Sequence, residues 1–118
     1  MKNQDKEKIE QIVQTRKKAH SFYSKKSKVY QSFLAMEQNT YKDGKLSKIQ
    51  KEMIAIGISV VINCESCMEW HIKQALDSGV SENEILEAIE VGIEMAGGPA
   101  TASARFAMNV LEYYQQSK

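Results

Sequence analysis

Apolar residues recur at three- and four-residue spacing along most of this chain. Ile9, Ile12, Val13, Arg16, Ala19, His20 and Tyr23 recur at helical spacing in the first segment. Tyr30, Phe33, Leu34 and Glu37 continue the pattern beyond the polar patch "SKKSK". The spacing predicts one long helix with a weak point, or two helices, between about residues 5 and 38. "NTYKDGKLS" reads as a loop turning at Asp43-Gly44. Ser47 and Gln50 stand at capping-box spacing and open the next helix. The run "MIAIGISVVI" then holds ten residues without a charge. Its length and β-branched content suit a buried strand as well as a helix. The cap ahead of it, and the lack of a second strand to pair with, favour a buried helix.

Asn63 breaks the run. A new helix is expected from the cysteines to Ser78, with Gly79 in the left-handed position past its end. Ser81 and Glu84 form a second capping box, and Val80 and Ile85 are placed as a hydrophobic staple. Ile85, Leu86, Ile89 and Ile93 are the expected buried stripe of the helix that follows. "GGPA" at 97–100 separates it from a last helix, about 99–115, with Pro99 in the first turn. The expected fold is all-α: five or six helices in one domain spanning 1–118, around an antiparallel pair reversing at Asn63. A chain of this length buries a core without staples.

Charge changes the picture little overall and more in detail. A net charge of +1 gives no global field for nucleic acid or an anionic membrane, and neither partner is expected. The first 30 residues nevertheless hold nine Lys/Arg against three Asp/Glu, and the remainder seven against twelve. Residues 1–27 thus read as a basic helical arm, either solvated or lying on the acidic body of its own chain or of a second copy. "MKNQDKEKIE" has no apolar core of a signal peptide, and no apolar run is long enough to span a membrane. The expected compartment is the cytoplasm. There a Cys-x-x-Cys points to redox or metal chemistry before a structural disulfide.

Cys64, Cys67 and His71 are the chemical centre of the sequence. On one helix, Cys67 lies about 60° and His71 about 20° from Cys64 around the axis, so all three share a face. A cysteine at the helix start meets unsatisfied N–H groups and the positive dipole end, which favour a thiolate. Two cysteines one turn apart close a disulfide with little rearrangement, and His71 is placed to move a proton. Glu52 is eleven residues before Asn63 and His71 eight after it. A reversal at Asn63 brings the two to similar heights, where Glu52 orients His71 or serves as a base. A helix-start Glu satisfying the dipole is an equal alternative. Haem attachment fails because residue 68 is Met, and zinc lacks a fourth ligand, His20 being far away. Two inert buried cysteines are the remaining option. Trp70 reads as a partly buried anchor and His20 as a solvated or capping residue. Small residues from Gly92 to Ala107 permit close helix contact in the core or between subunits. The apolar stripes exceed what so short a chain covers, so a homo-oligomer is expected.

The stretch "DGKLSKIQKEMIAIGISVVINCESCMEWHIKQALDSGVSENEILEAIEVGIEMAGGPA" resembles the carboxymuconolactone decarboxylase superfamily, in its alkylhydroperoxidase AhpD-like branch. The resemblance covers about residues 28–115. It rests on K-E before an apolar helix, C-x-x-C-x-x-x-H, the A-x-x-x-G after it, S-x-x-E-I and G-G-P-A. It implies an all-α fold assembled into trimers or hexamers, and a thiol peroxidase that reduces organic or hydrogen peroxide. No metal or bound cofactor is implied. By position, Cys67 matches the peroxide-attacking cysteine and Cys64 the resolving one, whereas the helix dipole favours Cys64 as the more acidic thiol. Glu52 and His71 match members of the proton relay. The reductant implied is a dithiol, in this family a lipoylated protein. Ser66 stands where the characterised alkylhydroperoxidase carries a histidine, which leaves the relay one member short. The decarboxylase branch lacks the cysteine pair, so lactone decarboxylation is not expected.

Overall fold

The computed structural model describes residues 1–116. It comprises α1 (Asn3–Lys26), α2 (Lys28–Thr40), α3 (Lys48–Val61), α4 (Glu65–Asp77), α5 (Glu82–Ala96) and α6 (Gly98–Gln116), with no strand among the described residues. The weak point in the first segment is Ser27. Its extended backbone ends α1, and its hydroxyl accepts the Tyr30 N–H at 3.0 Å to cap α2. Both capping boxes form, at Ser47/Gln50 and Ser81/Glu84. Gly79 and Gly97 end α4 and α5 with positive φ, +90° and +74°.

The uncharged run is helix α3, as the cap implies, but it is not buried all round. Ile56, Ser59 and Val60 are sealed, whereas Ile54, Ile58 and Val61 on the far side stay about half exposed. In α5, Ile85 and Ile89 are buried and Ile93 partly so. Leu86, expected in that stripe, is instead half exposed at its edge. The core gathers Ile56 and Val60 of α3, Met68, Ile72 and Ala75 of α4, Ile85 and Ile89 of α5, and Phe106, Ala107 and Val110 of α6.

Helix α3 packs most extensively on α5 and α4. Its closest approach to α5 needs two glycines. A Cβ on Gly92 would stand 2.7 Å from the Gly57 carbonyl oxygen and 3.3 Å from the Val60 Cβ. Backbone cannot yield as a side chain does, so Gly92→Ala must push the two helices apart. It is expected to cost about 1–3 kcal/mol, outweighing the roughly 1 kcal/mol that alanine gains over glycine within a helix. Urea denaturation checks the sign.

The basic arm lies on the acidic body of its own chain. Ile9 of α1 is fully buried, Lys8 pairs with Glu65 at 2.8 Å, and Arg16 pairs with Glu69. Helix α2 differs: it packs on α1 and buries none of its residues. The radius of gyration, 14.6 Å, exceeds the roughly 13.5 Å of a compact chain of this length. No helix among the described residues is long and apolar enough to cross a membrane.

Candidate active site

The site is built where α3 and α4 meet. Asn63, at φ +53°, is the reversal between them. Cys64 then stands outside the helix as its N-cap, in extended conformation, and its sulfur accepts the Cys67 N–H at 3.2 Å. That N–H is one of the orphan donors of the first turn. Cys64 and Cys67 are joined as a disulfide, their Cα atoms 5.2 Å apart. Neither residue is sealed in hydrocarbon; both are partly exposed.

One turn beyond Cys67, His71 points back to α3. Its Nδ1–H donates to Glu52 Oε1 at 2.7 Å. This bond leaves Nε2 as the free acceptor of the ring. Glu52 is 2% exposed, so its charge needs more than one partner. Lys48, one turn earlier in α3, supplies the second, 3.3 Å from Oε2. The reversal at Asn63 therefore does bring Glu52 and His71 to the same height, and the helix-start alternative for Glu52 is not what the structure shows.

Sequence reasoning missed two contributions. Tyr41, at the C-terminal cap of α2, lays its ring against the His71 imidazole, centroids 5.3 Å apart. Burial, and then the nearby carboxylates of Glu52 and Glu37, push its hydroxyl above the ordinary tyrosine value. The loop that delivers Tyr41 is pinned where Asp43 accepts the Lys48 N–H at 2.7 Å, and where Lys51 Nζ donates to the Lys42 carbonyl at 2.7 Å. Nothing local in the sequence links an aromatic at 41 to an imidazole at 71. The second contribution is Glu69, wholly buried on another side of α4. Arg16 of α1 donates to one of its oxygens and the Tyr114 hydroxyl of α6 to the other. Arg16 also lies over the Trp70 ring, 4.8 Å from its centroid. Arg16 did leave a signal, an arginine on the apolar stripe of α1. Trp70 is partly buried, as an anchor should be, and His20 is exposed with its ring nitrogen 3.1 Å from the Tyr30 hydroxyl. Among the described residues no group of three or more His, Cys, Asp or Glu is placed to hold a metal ion.

The sequence of residues 27–109 matches the family model described as "Carboxymuconolactone decarboxylase family". The chain belongs to this family. An uncharacterized protein of the cox locus of Paracoccus denitrificans is 40% identical over 81 residues, which cover 69% of this chain and 73% of that protein. An alkyl hydroperoxide reductase AhpD of Anaeromyxobacter dehalogenans is 33% identical over 67 residues, covering 49% of this chain but only 36% of that protein. A carboxymuconolactone decarboxylase family protein of Legionella pneumophila has a similar crystal structure, with TM-score 0.77 and 26% identity, covering 92% of this chain and 96% of that one. A Thermotoga maritima protein superposes with TM-score 0.83 at 24% identity, covering 91% and 95%, and this likeness concerns the fold alone. Membership in the carboxymuconolactone decarboxylase family and a linked Cys-x-x-Cys pair thus stand together in this chain.

Proposed function

We propose that the protein is a thiol-dependent peroxidase, AhpD-like, that reduces organic or hydrogen peroxide in the cytoplasm. What carries the reading is one juxtaposition: the linked Cys64–Cys67 pair opens α4, and His71, held by the buried Glu52 of α3, lies one turn along it. In the dithiol form, His71 Nε2 takes the thiol proton while Glu52 holds the imidazolium that results. The Cys67 thiolate attacks one peroxide oxygen, the O–O bond breaks, and the departing alkoxide or hydroxide takes the proton back as an alcohol or water. Cys67 is now a sulfenic acid. The Cys64 thiolate attacks its sulfur, hydroxide leaves and is protonated to water, and the disulfide forms. An external dithiol, of the class of a lipoylated protein, returns both electrons by thiol–disulfide exchange. The working form is a homo-oligomer, a trimer or a hexamer.

Peroxide consumption with a dithiol reductant tests the reading. A wild-type rate at background overturns it. His71→Gln is expected to lower the rate by about 10²–10⁴-fold. Glu52→Gln should act through the same ring and cost less, because Gln still accepts the Nδ1–H but no longer balances the imidazolium. Rates unchanged in both variants would remove the relay. A second reading, a general thiol–disulfide oxidoreductase, is favoured by Ser66, which supplies no imidazole beside Cys67. It predicts exchange with a model disulfide and no peroxide turnover.

A further inference from the structure

We propose that α2 of one copy docks in the groove between α3 and α5 of a second copy, so that the subunits are joined by exchanged arms. The inference deepens the oligomeric part of the proposed function and rests on it. The groove encloses about 570 Å³. It presents the outer face of α3, with Ile54, Ile58 and Val61, and the outer face of α5, with Val91 and Met95, all 43–72% exposed. A continuous apolar surface of this kind on a soluble chain calls for a cover.

Helix α2 has the complementary form. Tyr30, Leu34 and Glu37 are the partly buried positions of α2, and Tyr30 meets Tyr23 and His20 of α1. Val29, Phe33 and Met36, spaced i, i+4, i+7, form a second face and are 81%, 49% and 58% exposed. At thirteen residues α2 is about 20 Å long, matching the fourteen residues of α3 that form one wall. Charge selects the pairing. Lys25, Lys26 and Lys28 flank the start of the apolar face of α2. Glu84 and Glu87 line the groove, on a helix that carries five glutamates and no lysine or arginine. Opposite charges at the rim fix partner and register, while the apolar centre supplies the affinity. The neighbouring groove between α5 and α6 is the weaker candidate, since among its lining residues only Leu86 and Met108 are large apolar side chains left exposed.

Size-exclusion chromatography with light scattering tests the proposal, and far-UV circular dichroism checks that each variant stays helical. The substituted positions are exposed, so folding is retained. Wild type should run at a multiple of the 13.4 kDa chain mass. Phe33→Glu on the arm and Ile58→Glu in the groove should each run as single chains. Mixed together they should form a heterodimer, because the first keeps its groove and the second its arm. Met108→Glu should assemble like wild type. A monomeric wild type overturns the oligomeric reading and this inference with it. An oligomeric wild type with an oligomeric Phe33→Glu, a mixture that stays monomeric, or dissociation by Met108→Glu overturns the arm exchange alone.

Discussion

Cys67→Ser is expected to abolish catalytic peroxide consumption, lowering turnover by at least about 10³-fold, because the atom proposed to form the covalent intermediate is gone. Cys64→Ser is expected to stop turnover differently. Its Cys67 still reacts once, consumes one equivalent of peroxide and then waits as a sulfenic acid with nothing to resolve it. Intact-mass spectrometry after a single peroxide addition separates the two variants: Cys64→Ser gains one oxygen atom, and Cys67→Ser gains none. The assignment follows the resemblance by position and the single turn between Cys67 and the imidazole proposed to move the proton; the backbone N–H that the Cys64 sulfur accepts at the helix start favours the other thiol. If the helix start governs the first attack instead, the outcomes exchange, and Cys67→Ser carries the added oxygen. Wild-type turnover in both single variants would leave the peroxidase reading without a nucleophile.

How much of this was legible in the sequence depends on whether the information is local. Ser47 with Gln50 and Ser81 with Glu84 are readable because a cap is satisfied within four residues, and both form as the spacing implies. The break at Ser27 falls inside the polar patch "SKKSK" that marked the weak point, and the cap there settles two helices over one. The Glu52–His71 pair is long-range, yet it follows from one turn and similar counts, eleven residues before Asn63 and eight after it, along two antiparallel helices. The uncharged run of α3 misleads: hydrophobicity on every side suggests burial on every side, but Ile54 and Ile58 have no neighbour among the described residues to bury them. Leu86 fails similarly, since periodicity defines a stripe but not which edge of it reaches the core. Glu69 was invisible because its partners come from α1 and α6, and no spacing along one helix encodes a contact among three.

That buried network carries the largest expected effect on stability. Glu69 has no exposed surface, and among the described residues its two oxygens are answered only by Arg16 and Tyr114. Arg16→Ala leaves a sealed carboxylate without its counter-charge, an expected loss of about 3–5 kcal/mol out of the 5–15 kcal/mol typical of a folded domain. Glu69→Gln should cost clearly less. The Arg16 side chain keeps 23% of its surface in solvent and can hydrate, whereas Glu69 cannot. Arg16→Met with Glu69→Leu and Tyr114→Phe should recover much of the loss, because nothing charged then remains uncompensated. Urea denaturation of the three variants orders them, and an Arg16→Ala protein within about 1 kcal/mol of wild type would show that the pair contributes little. The pH dependence has a definite sign. Burial, against the opposing pull of Arg16, raises the Tyr114 hydroxyl from 10.0 to about 12. An acid whose folded pKa lies above its unfolded one contributes its full stability below the lower value. The contribution should be intact below pH 10 and decline between pH 10 and 12, as a phenolate is forced against the Glu69 carboxylate, and Tyr114→Phe should remove that decline. The same helix carries Cys67, Glu69 and His71, so loss of the network loosens the element on which the proposed chemistry depends, and Arg16→Ala should lower peroxide turnover without touching the cysteines.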